Sequence, residues 1–107
     1  MSSSSLSSYV RVCQTSDVPD GSMHAVDVGD LKLMIVNIQG KLYALGRICT
    51  HETADLSAGF LIGSEVTCPL HLSRFDVRTG GVQNPPATQP LPVYELKVEG
   101  EGVYVLV

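Results

Sequence analysis

The chain has 107 residues, with seven Lys and Arg against eleven Asp and Glu, and its formal net charge is −4. This length predicts one domain with a modest core and excludes two independent domains. No run of basic residues could follow a phosphate backbone, so nucleic acid is not an expected partner. Even the apolar stretch at residues 31–38 is interrupted by Lys32 and Asn37, so no membrane span is predicted.

The first eight residues, MSSSSLSS, lack the basic start and apolar run of a secretory signal. Residues 1–8 therefore predict a disordered, serine-rich tail. Two of the three cysteines belong to the motifs described below, and Cys13 is left without an obvious partner. An odd thiol argues against a disulfide framework and for a reducing compartment, so we expect a cytoplasmic protein in which Cys13 is a small buried strand residue.

Beyond the tail, short runs of Val, Ile, Leu and Tyr alternate with Gly, Pro, Asp and Asn, which is typical of an all-β fold. Glycines at 29, 40 and 100 follow strand runs where tight hairpins need positive φ, so the strands should pair mainly antiparallel. No helical period is present, and residues 59–63 are expected to be a link. The predicted strands cover residues 9–12, 24–28, 31–38, 42–46, 65–67, 74–76, 93–98 and 103–107.

Two short motifs combine the residue types that bind metals. The first is Cys49-Thr50-His51; after sixteen further residues the second is Cys68-Pro69-Leu70-His71. Each offers one thiolate and one imidazole, which suits either one tetrahedral zinc ion or a two-iron cluster. Common zinc modules begin with Cys-x-x-Cys, so the mixed pairs favour the cluster, although zinc stays open from spacing alone.

This pattern resembles the Rieske iron–sulfur family, specifically the small ferredoxins of ring-hydroxylating dioxygenase systems, over nearly the whole chain after residue 8. The resemblance implies one 2Fe–2S cluster, with Cys49 and Cys68 on the inner iron and His51 and His71 on the outer iron. In this family two Cys and two His divide in that way between the irons.

The resemblance also implies a single Rieske domain at residues 9–107, whose base is an antiparallel β sandwich or barrel. The base would comprise residues 9–46 plus 76–107. A small cluster-binding subdomain of about residues 47–75 would be inserted into it.

Other residues are assigned supporting roles by the same resemblance. Phe75 stands where high-potential relatives carry a tyrosine that donates a hydrogen bond to a cysteine sulfur, whereas Ser73 could donate one to a bridging sulfide. Losing a donor lowers the potential, which predicts the low end of the span of about −150 to +300 mV. The proline-rich residues 84–92, including Pro85 and Pro86, resemble the loop that shields the cluster; a plain linker is the alternative.

Residues near the motifs receive simpler interpretations. Arg47 is interpreted as a solvated loop charge, with a docking or potential-raising role as the alternative. Glu52 and Asp55 are interpreted as docking or solubility charges, and His24 as an ordinary strand residue rather than a ligand.

The expected function is that of a one-electron carrier from a reductase to an oxygenase-type acceptor. No catalytic triad, phosphate-cradling loop or paired carboxylate motif is present, so we expect an electron-transfer component without a small-molecule substrate. The charge of −4 either steers it to basic partners or only keeps it in solution. Two alternatives remain: a bound subunit of a larger oxidoreductase such as nitrite reductase, and a structural zinc domain.

Overall fold

The computed structural model describes residues 8–49, 54–69, 73–84 and 89–107, so the predicted tail lies outside it except for Ser8. Two single turns of 3-10 helix lie at Thr15–Asp17 and Leu56–Ala58. Among the described residues, no helix combines the length and the apolar character needed to cross a bilayer. Within the described ranges there are ten strands: β1 Tyr9–Gln14, β2 Met23–Val28, β3 Leu31–Ile38, β4 Lys41–Gly46, β5 Phe60–Ile62, β6 Glu65–Thr67, β7 Arg74–Asp76, β8 Val93–Tyr94, β9 Leu96–Glu99 and β10 Gly102–Leu106.

The strands form three antiparallel sheets, which confirms the all-β prediction. One has the order β1-β10-β9, the second β2-β3-β4-β8 and the third β5-β6-β7. The central hairpin of the second sheet joins β3 to β4 through Gln39 and Gly40, whose φ angles are +56° and +92°. Positive φ at both positions defines the tight two-residue turn that matches strand twist, as the glycine pattern predicts.

The β2-β3-β4-β8 sheet lies between two hydrophobic cores. Alternate residues of β3 point to opposite faces, so Leu33 and Ile35 enter one core and Met34 and Val36 the other. The base core comprises Val18, Val26, Leu33, Ile35, Ala44, Val103 and Val105. The loop-side core comprises Met34, Val36, Leu45, Cys49, Ala54, Leu56, Val66, Cys68, Phe75, Val77 and Leu91. Burial on both faces explains why β3 is continuously apolar at its centre.

Two strand predictions were wrong in detail. The predicted strand at residues 93–98 is two strands: β8 pairs with β4 and β9 pairs with β10, and the chain changes sheets at Glu95. The predicted link at residues 59–63 contains β5, an edge strand of the third sheet. Its Phe60 and Ile62 are 58% and 70% exposed, so the outward apolar side chains of β5 break the usual pattern of a half-buried strand.

Candidate metal centre

Two hairpin loops begin with the cysteines of the two motifs and are closed by the same backbone contact. The Cys49 N–H donates to the Ala54 carbonyl at 2.9 Å, and the Cys68 N–H donates to the Ser73 carbonyl at 2.8 Å. In both cases the hydrogen bond spans five residues. The histidines of the motifs, at positions 51 and 71, belong to these loops and lie outside the described residues.

Each loop stands on a pair of antiparallel segments. Before and after the first loop, Ile48 pairs with Asp55, and the Leu56 N–H donates to the Arg47 carbonyl at 2.6 Å. The second loop joins β6 to β7, which pair along their whole length. The segments that flank the two loops are therefore paired in a similar way, and each loop has a cysteine at its entry.

The two cysteine side chains enter the same apolar environment. Cys49 is 4% exposed, Cys68 is fully buried, and both belong to the loop-side core. Neither forms a disulfide. Two buried thiols from separate hairpins fit the sulfur half of the donor set that a Rieske 2Fe–2S cluster requires.

Arg47, just before the first loop, is not the solvated charge that the sequence suggested. It is 9% exposed, and its guanidinium donates to the Asp27 and Asp55 carboxylates at 2.7 and 3.0 Å. It also donates to the carbonyls of Val26 and Leu33 at 2.9 and 3.1 Å. Arg47 thus links the first hairpin to β2 and β3. The one hint of this role in the sequence is that Arg47 directly follows Gly46, at the end of a predicted strand.

Asp55 likewise has a structural contact that the sequence interpretation missed. Its carboxylate accepts hydrogen bonds from the Ser57 N–H at 2.9 Å and from the Ser57 hydroxyl at 2.6 Å, and so caps the following 3-10 turn. Burial opposes ionisation of Asp55, but the hydrogen bonds from Ser57 and Arg47 outweigh burial and lower its pKa. The hydrogen bond from Arg47 also lowers the pKa of Asp27.

Gly59 permits a close approach between the segment that leaves the first loop and the strand that enters the second. A Cβ at this position would lie 2.0 Å from the Thr67 carbonyl oxygen and 3.2 Å from Pro69 Cδ. Real Cβ atoms do not approach backbone oxygen so closely, so the neighbouring backbone would have to move. The two hairpins can pack this tightly only because residue 59 has no side chain.

The structure describes two of the four residues to which the resemblance assigns supporting roles. Ser73 and Phe75 are fully buried, and Phe75 packs in the loop-side core with both cysteines. Pro85 and Pro86 lie outside the described residues. At the end of the proline-rich segment, Leu91 is buried in the same core and its N–H donates to the Gly80 carbonyl at 2.8 Å.

A family model and a relative of known role both match most of this chain. The family model described as "Rieske [2Fe-2S] domain" matches residues 8–95. The ferredoxin component of a naphthalene 1,2-dioxygenase system from Pseudomonas aeruginosa is 40% identical over 89 residues, which cover 83% of this chain and 86% of that protein.

Solved structures agree with this assignment. A chain from the complex of reduced oxygenase and oxidized ferredoxin in carbazole 1,9a-dioxygenase superposes with a TM-score of 0.85 and 38% identity, covering 91% of both chains. A structure described as an NADH-dependent nitrite reductase small subunit from Mycobacterium tuberculosis has a TM-score of 0.83 at 18% identity, covering 94% of this chain and 96% of that one. The latter likeness shows the fold alone.

The predicted resemblance and the predicted cofactor, one Rieske-type 2Fe–2S cluster, are confirmed by the family match and the ferredoxin relatives. So is the prediction of an electron-transfer component rather than an independent enzyme, since the relative just described is a component of a larger system. The chain belongs to the Rieske 2Fe–2S family and is a small ferredoxin of that family.

Proposed function

We propose that this protein carries one electron at a time from a reductase to the oxygenase of an aromatic-ring dioxygenase system. The observation that carries the proposal is the pair of matched hairpins, each with a buried cysteine at its entry and a histidine within its loop. The naphthalene relative is a component of such a system, and the carbazole structure is a complex of a ferredoxin with its oxygenase.

The four ligands are Cys49, His51, Cys68 and His71. When bound, the cluster would supply reversible one-electron chemistry, and we expect its potential at the low end of the family span of about −150 to +300 mV. Cys49 and Cys68 would hold the cluster from within the loop-side core, where neighbouring apolar side chains exclude water.

The remaining sequence-based assignments belong to the same proposal. Residues 47–75 form the cluster-binding subdomain and residues 9–46 plus 76–107 the base; the separate β5-β6-β7 sheet supports this division. Ser73, Phe75, Pro85 and Pro86 are assigned as the residues that would support the cluster. A cytoplasmic location is supported by Cys13, a free thiol that suits a reducing compartment.

The ligand assignment is tested by metal and sulfide analysis of untagged protein. We expect two irons and two acid-labile sulfides per chain, and a paramagnetic signal after reduction by dithionite. His51→Ala and His71→Ala should each abolish the signal of the mixed-ligand cluster, whereas the matched control His24→Ala should retain it. One zinc per chain without sulfide would instead establish the structural zinc domain.

The carrier role is tested by mixing the reduced protein with an oxygenase under anaerobic conditions. The carbazole 1,9a-dioxygenase oxygenase is a suitable acceptor, because the ferredoxin structure in complex with it superposes closely on this chain. We expect oxidation of one electron equivalent per chain and product formation when reductase, oxygenase and substrate are all supplied. Stable copurification with a nitrite reductase, with no electron transfer to any dioxygenase oxygenase, would replace this proposal by the bound-subunit alternative.

A further inference from the structure

A second group of potential metal ligands lies at the rim of the base core and consists of Cys13, Asp17 and His24. The β2-β3-β4-β8 sheet separates this core from the loop-side core. One potential ligand atom from each side chain lies within 4.8 Å of the other two. Cys13 is in β1, Asp17 in the 3-10 turn that follows, and His24 in β2. These residues are only eleven positions apart, yet they connect strands of two different sheets.

A bulge in β1 directs Cys13 towards this position. The register with β10 shifts between Arg11, which pairs with Tyr104, and Cys13, which pairs with Val103. In an unbroken strand Cys13 would point to the same side as the exposed Arg11. Because of the shift, Cys13 is partly buried and packs against the base core. Bulges commonly re-aim a side chain in this way.

The other two side chains are also held by the fold. The Asp17 carboxylate oxygen Oδ2 accepts the Gln14 N–H at 2.9 Å, and the next residue, Val18, is fully buried and anchors the turn. His24 lies on the same face of β2 as Val26, a member of the base core. The three donors are therefore fixed relative to one another rather than carried on a loose loop.

We propose that Cys13, Asp17 and His24 bind a zinc ion that links β1 to β2, in addition to the cluster. Thiolate, imidazole and carboxylate are the ligands that zinc takes in proteins, and three protein ligands with one water complete a tetrahedral site. Bonds of about 2.0–2.3 Å place such donors about 3.3–3.8 Å apart, so small side-chain rotations close the site.

The surroundings allow an ion to enter. An open surface pocket of about 270 Å³ is lined by Arg11, Val12, Cys13, Gln14 and Asp17, so two of the three donors border solvent. Burial and the charge of Asp17 raise the pKa of the Cys13 thiol, while Arg11 acts in the opposite direction. Zinc therefore displaces a proton from Cys13 as it binds, and that proton passes to solvent.

The experiment adds Zn²⁺ alone to the cluster-loaded protein, followed by dialysis and metal analysis. We expect one zinc per chain beyond the two cluster irons, with the visible spectrum of the cluster unchanged. Cys13→Ala and His24→Gln should each lose this zinc and retain the cluster. Asp30→Asn, which removes an exposed carboxylate elsewhere in the fold, should retain both.

Alkylation of Cys13 by iodoacetamide provides a readout on the unmodified chain. Saturating zinc should block alkylation of Cys13 in the wild type but not in His24→Gln, because a zinc-bound thiolate is no longer a free nucleophile. Failure of the wild type to bind a zinc beyond the cluster, or retention of that zinc in both variants, would overturn the proposal. Neither result depends on whether the protein serves a dioxygenase.

Discussion

The two cysteine hairpins are closed by the same hydrogen bond but are supported by different forces. The first rests on a charge network, in which Arg47 joins the hairpin to Asp27 and to the carbonyls of β2 and β3. The second rests on a paired strand ladder and on Phe75, which is fully buried in the loop-side core. Both hairpins pack into the loop-side core, through Leu56 in the first and Phe75 in the second, and the first is anchored by Arg47 in addition.

This difference determines how pH and substitutions should change the stability that each hairpin contributes. Ionic hydrogen bonds weaken when a carboxylate is protonated, whereas apolar packing is insensitive to pH in the same range. Removing a buried ring leaves a cavity, whereas removing a buried cation removes the charge-assisted hydrogen bonds that it donates. Variants on the two sides should therefore differ in size of effect and in pH dependence.

The largest expected effect is that of Phe75→Ala in the second hairpin. Loss of a fully buried ring and the resulting cavity should lower the free energy of unfolding by about 3–5 kcal/mol. Urea unfolding of cluster-loaded protein, followed by circular dichroism, measures the loss. Phe60→Ala is the matched control, because Phe60 is 58% exposed and should change stability by less than about 1 kcal/mol. Equal losses in the two variants would contradict the apolar support assigned to Phe75.

Arg47→Met should have the next largest effect and tests the polar anchor. The variant keeps most of the side-chain volume but removes the charge-assisted hydrogen bonds from the guanidinium to the carbonyls of Val26 and Leu33, which should cost about 1–3 kcal/mol. The same urea experiment applies. Arg78→Met, which removes a 58% exposed partner of Asp76, should leave the stability close to that of the wild type. If Arg47→Met lost no more stability than this control, the anchoring role of Arg47 would be contradicted.

The pH dependence separates the two supports. The pKa values of Asp27 and Asp55 are lowered in the folded protein, so their stabilising contribution is present above about pH 4 and is lost as pH falls further. The stability difference between wild type and Arg47→Met should therefore be constant from about pH 6 to pH 4 and shrink as the pH falls below about 4. The difference between wild type and Phe75→Ala should stay constant, and parallel behaviour of the two variants would show that the supports do not differ.

Much of this arrangement could be predicted from the sequence because the signals are local. The strands at residues 31–38, 65–67 and 74–76 have the predicted bounds, since glycine turns and ligand motifs mark their ends. Two cysteines and two histidines within 23 positions identify the paired loops and, with the resemblance, the family.

The parts that could not be predicted depend on contacts between distant segments. Arg47 is buried only because Asp27, twenty positions earlier, and Asp55 meet it from different elements. Cys13 and His24 come together through a bulge, which shifts side-chain direction without a clear signature in the sequence. Likewise, Gly59 looks like an ordinary loop glycine until the Thr67 carbonyl is placed beside it.

Phe75→Tyr should have the smallest effect on packing, and it changes the second hairpin from purely apolar to partly polar support. The ring is retained, and the added hydroxyl can donate a hydrogen bond to a cysteine sulfur in the core that Phe75 shares with Cys49 and Cys68. Such a donor stabilises the reduced cluster, so the midpoint potential should rise by a fraction of the ~450 mV that Rieske centres span. A redox titration measures the shift, and Phe60→Tyr on the exposed edge strand should leave the potential unchanged. An unchanged potential in Phe75→Tyr, with the cluster retained, would mean that the hydroxyl does not reach a sulfur and that the second hairpin supports the cluster through packing alone.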